Sequence, residues 1–126
     1  MDQVIVDTDI FIDYFRTNKG ELLNLLDGQS KNKLEIIISS VTIYELFLGK
    51  SSKKEKPEIL EFISKFKTIS IDEKIAEFAG ELSRDSNLAI GSHDFFIAAT
   101  AIKYGFLVAT KNKKHFSKIP NLKLFK

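Results

Sequence analysis

The chain has no cysteine and no tryptophan, and only one methionine, two prolines and two histidines in 126 residues. Without cysteine, disulfides, thiolate metal sites and cysteine nucleophiles are excluded. Two histidines in separate motifs leave little room for a histidine-rich zinc site. Any bound metal must rest mainly on oxygen ligands, which favours magnesium or manganese. No apolar run approaches the roughly 20 residues that a membrane-spanning helix needs. A strand pattern begins directly at the N-terminus, with no basic segment, apolar stretch and cleavage site ahead of it. The expectation is a cytoplasmic protein with no membrane partner.

Eleven phenylalanines in a chain that is 44% apolar point to a core of Phe, Ile and Leu. The 29% of charged residues is ordinary for a compact protein. The length suits a single domain over residues 1–126, too short for a second independent core. No repeat, low-complexity segment or linker is visible. The net charge of +2 hides an uneven distribution. From Ala101 onward there are seven lysines (Lys103, Lys111, Lys113, Lys114, Lys118, Lys123, Lys126) and no acid. A second cluster, Lys50, Lys53, Lys54 and Lys56, has only Glu55 among it. Each run alone reads as a solvated surface. If acidic catalytic residues lie between the two clusters, they read instead as a rim that attracts phosphate.

Local patterns alternate between strand and helix. Val4-Ile5-Val6 is a buried-strand run ended by Asp7. Thr8 or Asp9 can cap a helix running to about Arg16. Glu21–Asp27 reads as a helix with Leu22, Leu23, Leu25 and Leu26 inward, stopping near Gly28. Leu34–Ile38 is the next strand, and Thr42–Leu48 a helix ending at Gly49. Pro57 is expected near the start of a helix reaching about Phe66. A short strand at Thr68–Ile71 precedes a helix capped by Asp72 and running to about Asp85, with Ile75, Phe78, Ala79 and Leu82 at helical spacing. After a loop over Asn87–Ser92, a helix from His93 to Tyr104 closes at Gly105. Strand Phe106–Ala109, a short helix around Lys111–Phe116 and strand Leu122–Phe125 complete the chain. Such alternation implies a parallel sheet covered by helices on both faces, with ligands gathering beyond the carboxyl ends of its strands.

Asp7, Glu45, Asp94 and Asn112 all fall at or shortly after a strand end, so the topology can bring them to one edge. Each also has a structural reading. An acid directly after an apolar strand is awkward unless partnered, but Asp7 can simply begin a turn. Thr42-Ile43-Tyr44-Glu45 fits a capping box, in which the glutamate bonds back to the cap residue. Asp94 can complement a helix dipole, Asp9 reads as a cap and Asn112 as a turn residue. Two carboxylates about 4 Å apart repel by roughly 4 kcal/mol at an effective dielectric of about 20. Converging acids therefore need a cation, shared protons or nearby lysines. A divalent cation relieves the repulsion, activates water and stabilises charge on a phosphoryl oxygen. Phosphodiester hydrolysis suits that equipment.

These residues also carry a resemblance. Val4-Ile5-Val6-Asp7-Thr8-Asp9-Ile10-Phe11-Ile12-Asp13-Tyr14 resembles the opening of PIN-domain proteins, especially VapC-type toxins. Thr42-Ile43-Tyr44-Glu45-Leu46 is similar to their second acidic motif and His93-Asp94-Phe95-Phe96-Ile97-Ala98-Ala99-Thr100-Ala101 to their third. Leu107-Val108-Ala109-Thr110-Lys111-Asn112-Lys113-Lys114-His115-Phe116 is similar to their fourth. Any one motif is weak; the four in register, nearly end to end, are specific. The resemblance implies an α/β, PIN-like three-layer fold with a central parallel sheet of about five strands. It implies a Mg2+- or Mn2+-dependent endoribonuclease, a cognate antitoxin partner and a homodimer.

Carried over by position, Asp7, Glu45 and Asp94 fill the three central acidic places and are the expected catalytic and metal-holding residues, with Asn112 a further metal position. Asn112 stands where many relatives have aspartate and others asparagine, and His115 stands where an acid is common. Asp7 and Asp94 are the expected principal ligands, and Glu45 completes the shell or orients water and acts as base. His93 and His115 read first as packing or surface residues, with acid catalysis or phosphate contact the alternative. Thr8 and Thr110 read as caps or as hydroxyls serving the site. Two rivals remain open at this stage. A haloacid-dehalogenase-like phosphatase would use Asp7-Thr8-Asp9 after its strand, and a degenerate PIN module would bind RNA or protein without cleavage.

Overall fold

The computed structural model describes residues 1–49 and 51–126; Lys50, part of the first lysine cluster, lies outside the described residues. Among the described residues, five strands and seven helices follow one another as β1 (Asp2–Val6), α1 (Thr8–Thr17), α2 (Glu21–Ser30), β2 (Leu34–Ser39), α3 (Ser40–Leu48), α4 (Ser52–Ile63), β3 (Lys67–Ile69), α5 (Glu73–Arg84), α6 (Ser92–Tyr104), β4 (Leu107–Ala109), α7 (Lys113–Phe116) and β5 (Lys123–Leu124). The strands form one all-parallel sheet in the order β3-β2-β1-β4-β5. This is the expected three-layer α/β arrangement. No helix among the described residues is long and apolar enough to cross a membrane.

Period-two alternation explains the two-sided burial. Val4 and Val6 of β1, with Ile36 and Ile38 of β2, enter the core under α1, α2 and α4. Ile5 and Ile37 enter the opposite core under α6 and α7. Both faces are apolar because both are covered. α5 then packs over α6 through Ile75, Ala79, Phe95 and Ala99. On the first face, Phe11 meets Phe62 and Phe66 at ring-centroid distances of 6.1 and 5.5 Å, and Tyr14 stacks on Phe62 at 5.5 Å. Aromatic pairs of this kind contribute about 0.5–1.5 kcal/mol each beyond their buried area. They fix α4 against α1 and so set the walls of the groove described below.

Several local expectations need correction. α1 is capped neither by Thr8 nor by Asp9: Asp7 is its N-cap, its carboxylate accepting from the Thr8 N–H. α2 continues past Gly28 to Ser30. Gly28 is there for space, since a Cβ would sit 2.9 Å from Leu34 Cδ2. Leu23 is 45% exposed, because Leu22 and Leu25 alone take the buried stripe and Leu26 only its edge. α3 begins at Ser40 under a Ser39 cap, so Thr42 lies inside the helix and the Thr42–Glu45 capping box does not form. Pro57 lies well inside α4, which starts at Ser52. There its missing N–H forgoes a helical bond instead of falling among the unpaired first-turn donors. Asp72 does cap α5, accepting from Ile75 N–H, and Gly105 closes α6 in the left-handed region at φ 74°.

Candidate functional site

The sheet order reverses direction at β1, which has β2 on one side and β4 on the other. A crevice opens beyond the carboxyl ends at such a switch point. The Asp7 N–H donates to the Ala109 carbonyl at 2.9 Å, carrying the β1–β4 ladder one step beyond the strand. This bond delivers Asp7 into the crevice beside Thr110. Asp7 is only 2% exposed. Its two oxygens are held separately, Oδ1 by the Thr8 N–H at 2.8 Å and Oδ2 by the Thr110 hydroxyl at 2.9 Å.

Asp94 comes from the first turn of α6 and is 6% exposed. Its Oδ2 accepts from the Gly91 N–H at 3.3 Å. The back-bonding that the sequence suggests for Glu45 is therefore made by Asp94 instead. Its Oδ1 lies 3.1 Å from His93 Nε2, and His93 Nδ1 lies 3.6 Å from Glu45 Oε2. One ligand atom each from Asp7, His93 and Asp94 fall within 4.8 Å of one another.

Glu45 stands next to this trio and is fixed by a different route. Thr8 donates its hydroxyl to Glu45 Oε1 at 2.7 Å. That uses the only Thr8 proton, so in the 2.8 Å contact between the Thr8 and Thr42 hydroxyls Thr42 is the donor. Two buried hydroxyls in series, Thr42 of α3 behind Thr8 of α1, thus orient one carboxylate oxygen. Asn112 is tied to the site only through its backbone, whose N–H donates to Thr110 Oγ1 at 2.9 Å. Its side-chain oxygen accepts instead from His115 Nδ1 at 2.8 Å. The structure brings Asp7, Glu45 and Asp94 together as expected, and pairs the Asn112 side chain away with His115.

Charge explains why the corner suits a cation. Burial, followed by the neighbouring Asp94 charge, pushes the Asp7 carboxyl from 3.8 up to about 6, against the lowering bond from Thr110. Burial also raises Asp94, while His93 and the Gly91 N–H pull it down and Asp9 and Glu45 push it up. Among the described residues, neither acid has a lysine or arginine ion-pair partner. The donor set of two desolvated carboxylates, a third beside them and an imidazole fits a divalent ion. Asp9, read from sequence as a cap, is an exposed acid of the first α1 turn whose charge reaches both Asp7 and Asp94. His93, which the sequence presents first as a packing or surface residue, lies between Asp94 and Glu45. The signal for it was its place directly before the acid at a helix start.

Two of the lysines are placed beside this corner. Lys111 pairs with Asp13, and Lys54 with Arg16 lines a groove of about 760 Å³ that has Glu45 in its wall. Its apolar lining comes from Ile12, Phe15, Leu46 and Ile59.

The PIN domain model matches residues 4–122. Ribonuclease VapC1 of Methanocaldococcus jannaschii is 32% identical over 120 residues, covering 93% of this chain and 81% of the relative. Ribonuclease VapC2 of Rickettsia felis is 32% identical over 125 residues, covering 94% and 92%. Among solved structures, VapBC2 from Rickettsia felis, bound to a DNA fragment from its promoter, superposes with a TM-score of 0.81 at 28% identity, over 98% of this chain and 97% of that one. A phosphatase of the haloacid-dehalogenase kind is thereby set aside, and with all four motifs inside the matched span the chain belongs to the PIN-domain family.

Proposed function

We propose that this chain is a metal-dependent endoribonuclease and the toxin of a toxin–antitoxin pair. The observation that carries the reading is the pair of buried carboxylates, Asp7 and Asp94, brought together at the sheet's switch point with no lysine or arginine partner among the described residues. Its relatives named VapC ribonucleases support the activity. The VapBC complex of the structural neighbour supports a cognate antitoxin.

In this reading Asp7 and Asp94 hold a Mg2+ or Mn2+ ion, with Asn112 outside the ligand set. When bound, the ion lowers the pKa of water and stabilises charge on the scissile phosphate. Glu45, fixed by Thr8, orients the attacking water and takes its proton. The water oxygen bonds to phosphorus as the bond to the 3′ oxygen breaks. That oxygen takes up a proton, leaving a 3′-hydroxyl and a 5′-phosphate. Thr110 holds Asp7 in place through each turnover. The exposed lysines Lys54, Lys113 and Lys114 bind the RNA backbone through charge, without reading bases. Tyr44 and Leu48, one turn apart on α3 and 63% and 62% exposed, supply apolar surface for a homodimer.

The test is cleavage-site mapping on total cellular RNA with manganese or magnesium, beside Asp94→Asn. Metal-dependent cuts bearing 5′-phosphates, absent with the variant, are expected. If neither ion binds near Asp7 or supports cleavage, a non-cleaving RNA- or protein-binding module takes the place of the enzyme.

A further inference from the structure

His93 presents both ring nitrogens to acids, Nε2 to Asp94 and Nδ1 to Glu45. An all-oxygen magnesium site has no need of an imidazole at this point. At a metal–ligand distance of about 2.1 Å, adjacent octahedral ligands stand about 3 Å apart. The 3.1 Å between His93 Nε2 and Asp94 Oδ1 is already that spacing. Gly91 makes room for the ring, since a Cβ there would meet His93 Cε1 and Nδ1 at 3.1 Å. His93 is only half-buried and belongs to none of the apolar cores, so packing does not account for this placement.

We propose that His93 is a nitrogen ligand of the ion held by Asp7 and Asp94, and that it tilts this chain toward manganese over magnesium. Imidazole suits first-row transition ions, whereas magnesium keeps to hard oxygen donors and its own waters. Glu45, outside the trio, is then left for water rather than metal. The inference rests on reading the acid corner as a divalent site.

The experiment is Mn2+ titration of the full chain, followed by pulsed electron paramagnetic resonance and by competition with Mg2+. Wild type should show nitrogen coupling from a coordinated imidazole, and His93→Gln should lose it with an unchanged melting temperature. Manganese affinity should fall by at least about 100-fold in that variant, beyond the range for a group that only supports a ligand, with magnesium affinity falling less than about threefold. Gly91→Ala, which keeps the imidazole but crowds it, should weaken manganese binding in the same selective way. Manganese bound without nitrogen coupling, or equal losses for both ions, would overturn His93 ligation while leaving the acidic site standing. If wild type and Asp94→Asn both fail to bind either ion, the acidic site falls along with His93.

Discussion

Two neighbouring corners of the same sheet edge handle polarity in opposite ways. At the end of β1, Asp7, Asp94 and Glu45 are drawn together, with hydroxyls and backbone N–H groups holding their outer oxygens. Beyond β4, Asn112 and His115 satisfy each other, and the surrounding Lys113, Lys114 and Lys118 are exposed. The first corner holds carboxylates whose ionisation burial opposes first and like charge second, a cost that a cation can relieve. The second has nothing left to relieve, and its charge is available to a polyanion. Thr110 joins them, donating to Asp7 and accepting from the Asn112 N–H.

Asp7→Asn should show the contrast most strongly. Cleavage should fall by at least about a hundredfold, beyond the range for residues that merely support a ligand. Stability should move the other way. The Asp7 carboxyl is raised from 3.8 to about 6, which corresponds to about 3 kcal/mol. The folded state holds this proton more tightly than the unfolded state. The contribution is therefore complete below pH 3.8 and is lost as pH rises through about 6. Metal-free protein should weaken between about pH 4 and 7, and Asp7→Asn should lack that part of the slope. Denaturation midpoints measured across this range in a chelator decide it. An identical slope in the variant would remove the cost of burying a charged Asp7 beside Asp94, on which the contrast between the corners depends.

Thr110→Val tests the link between the corners. It removes a hydrogen bond to a charged group and leaves the Asn112 N–H without its acceptor, at a cost of about 1–3 kcal/mol. Cleavage should fall about 10- to 100-fold. Because the Thr110 bond lowers the Asp7 pKa, the acid limb of the cleavage pH profile should move upward. Loss of stability with an unmoved pH profile would make Thr110 a purely structural residue.

The unequal legibility of the corners has a physical basis. An apolar strand ending in an acid marked Asp7, because burying a carboxylate needs a partner. The same strand pattern, alternating with helices, carries the parallel sheet. The motif around Glu45 points to the site, but the capping box that its spacing also fits does not form. Ser39 is as good a cap as Thr42, and only the extension of β2 to Ser39 decides between them. The hydroxyl relay from Thr42 through Thr8 joins residues 34 and 37 positions apart, a proximity that no local pattern carries. Asn112 kept its motif position, while its side-chain partner depended on α7 bringing His115 to it one turn later.

The basic corner should respond more gently. Lys113→Ala with Lys114→Ala should raise KM and leave kcat unchanged, since these side chains meet the RNA backbone rather than the reacting phosphate. Each lost phosphate contact should reduce the salt dependence of single-stranded RNA binding by about 0.7 in log–log slope. Lys111→Ala should do less, because Lys111 is already committed to Asp13. A fall in kcat with unchanged KM would move these lysines into the chemistry and blur the division.

Asn112→Asp should have the smallest effect, and the reason lies in the pairing with His115. A carboxylate at this position can accept from His115 Nδ1 as the amide oxygen does at 2.8 Å. The backbone N–H can still reach Thr110. The added charge is absorbed by a neighbour on its own side and by the surrounding lysines, instead of entering the trio of Asp7, His93 and Asp94. Manganese stoichiometry should stay the same, and cleavage should change by less than about threefold, under about 0.7 kcal/mol. Calorimetric titration with Mn2+ beside a cleavage assay reads both. A second bound ion, or a gain above about tenfold, would mean that the β4 corner is a metal position lacking only its acid. The two corners would then be halves of one site, not a catalytic centre beside a binding surface.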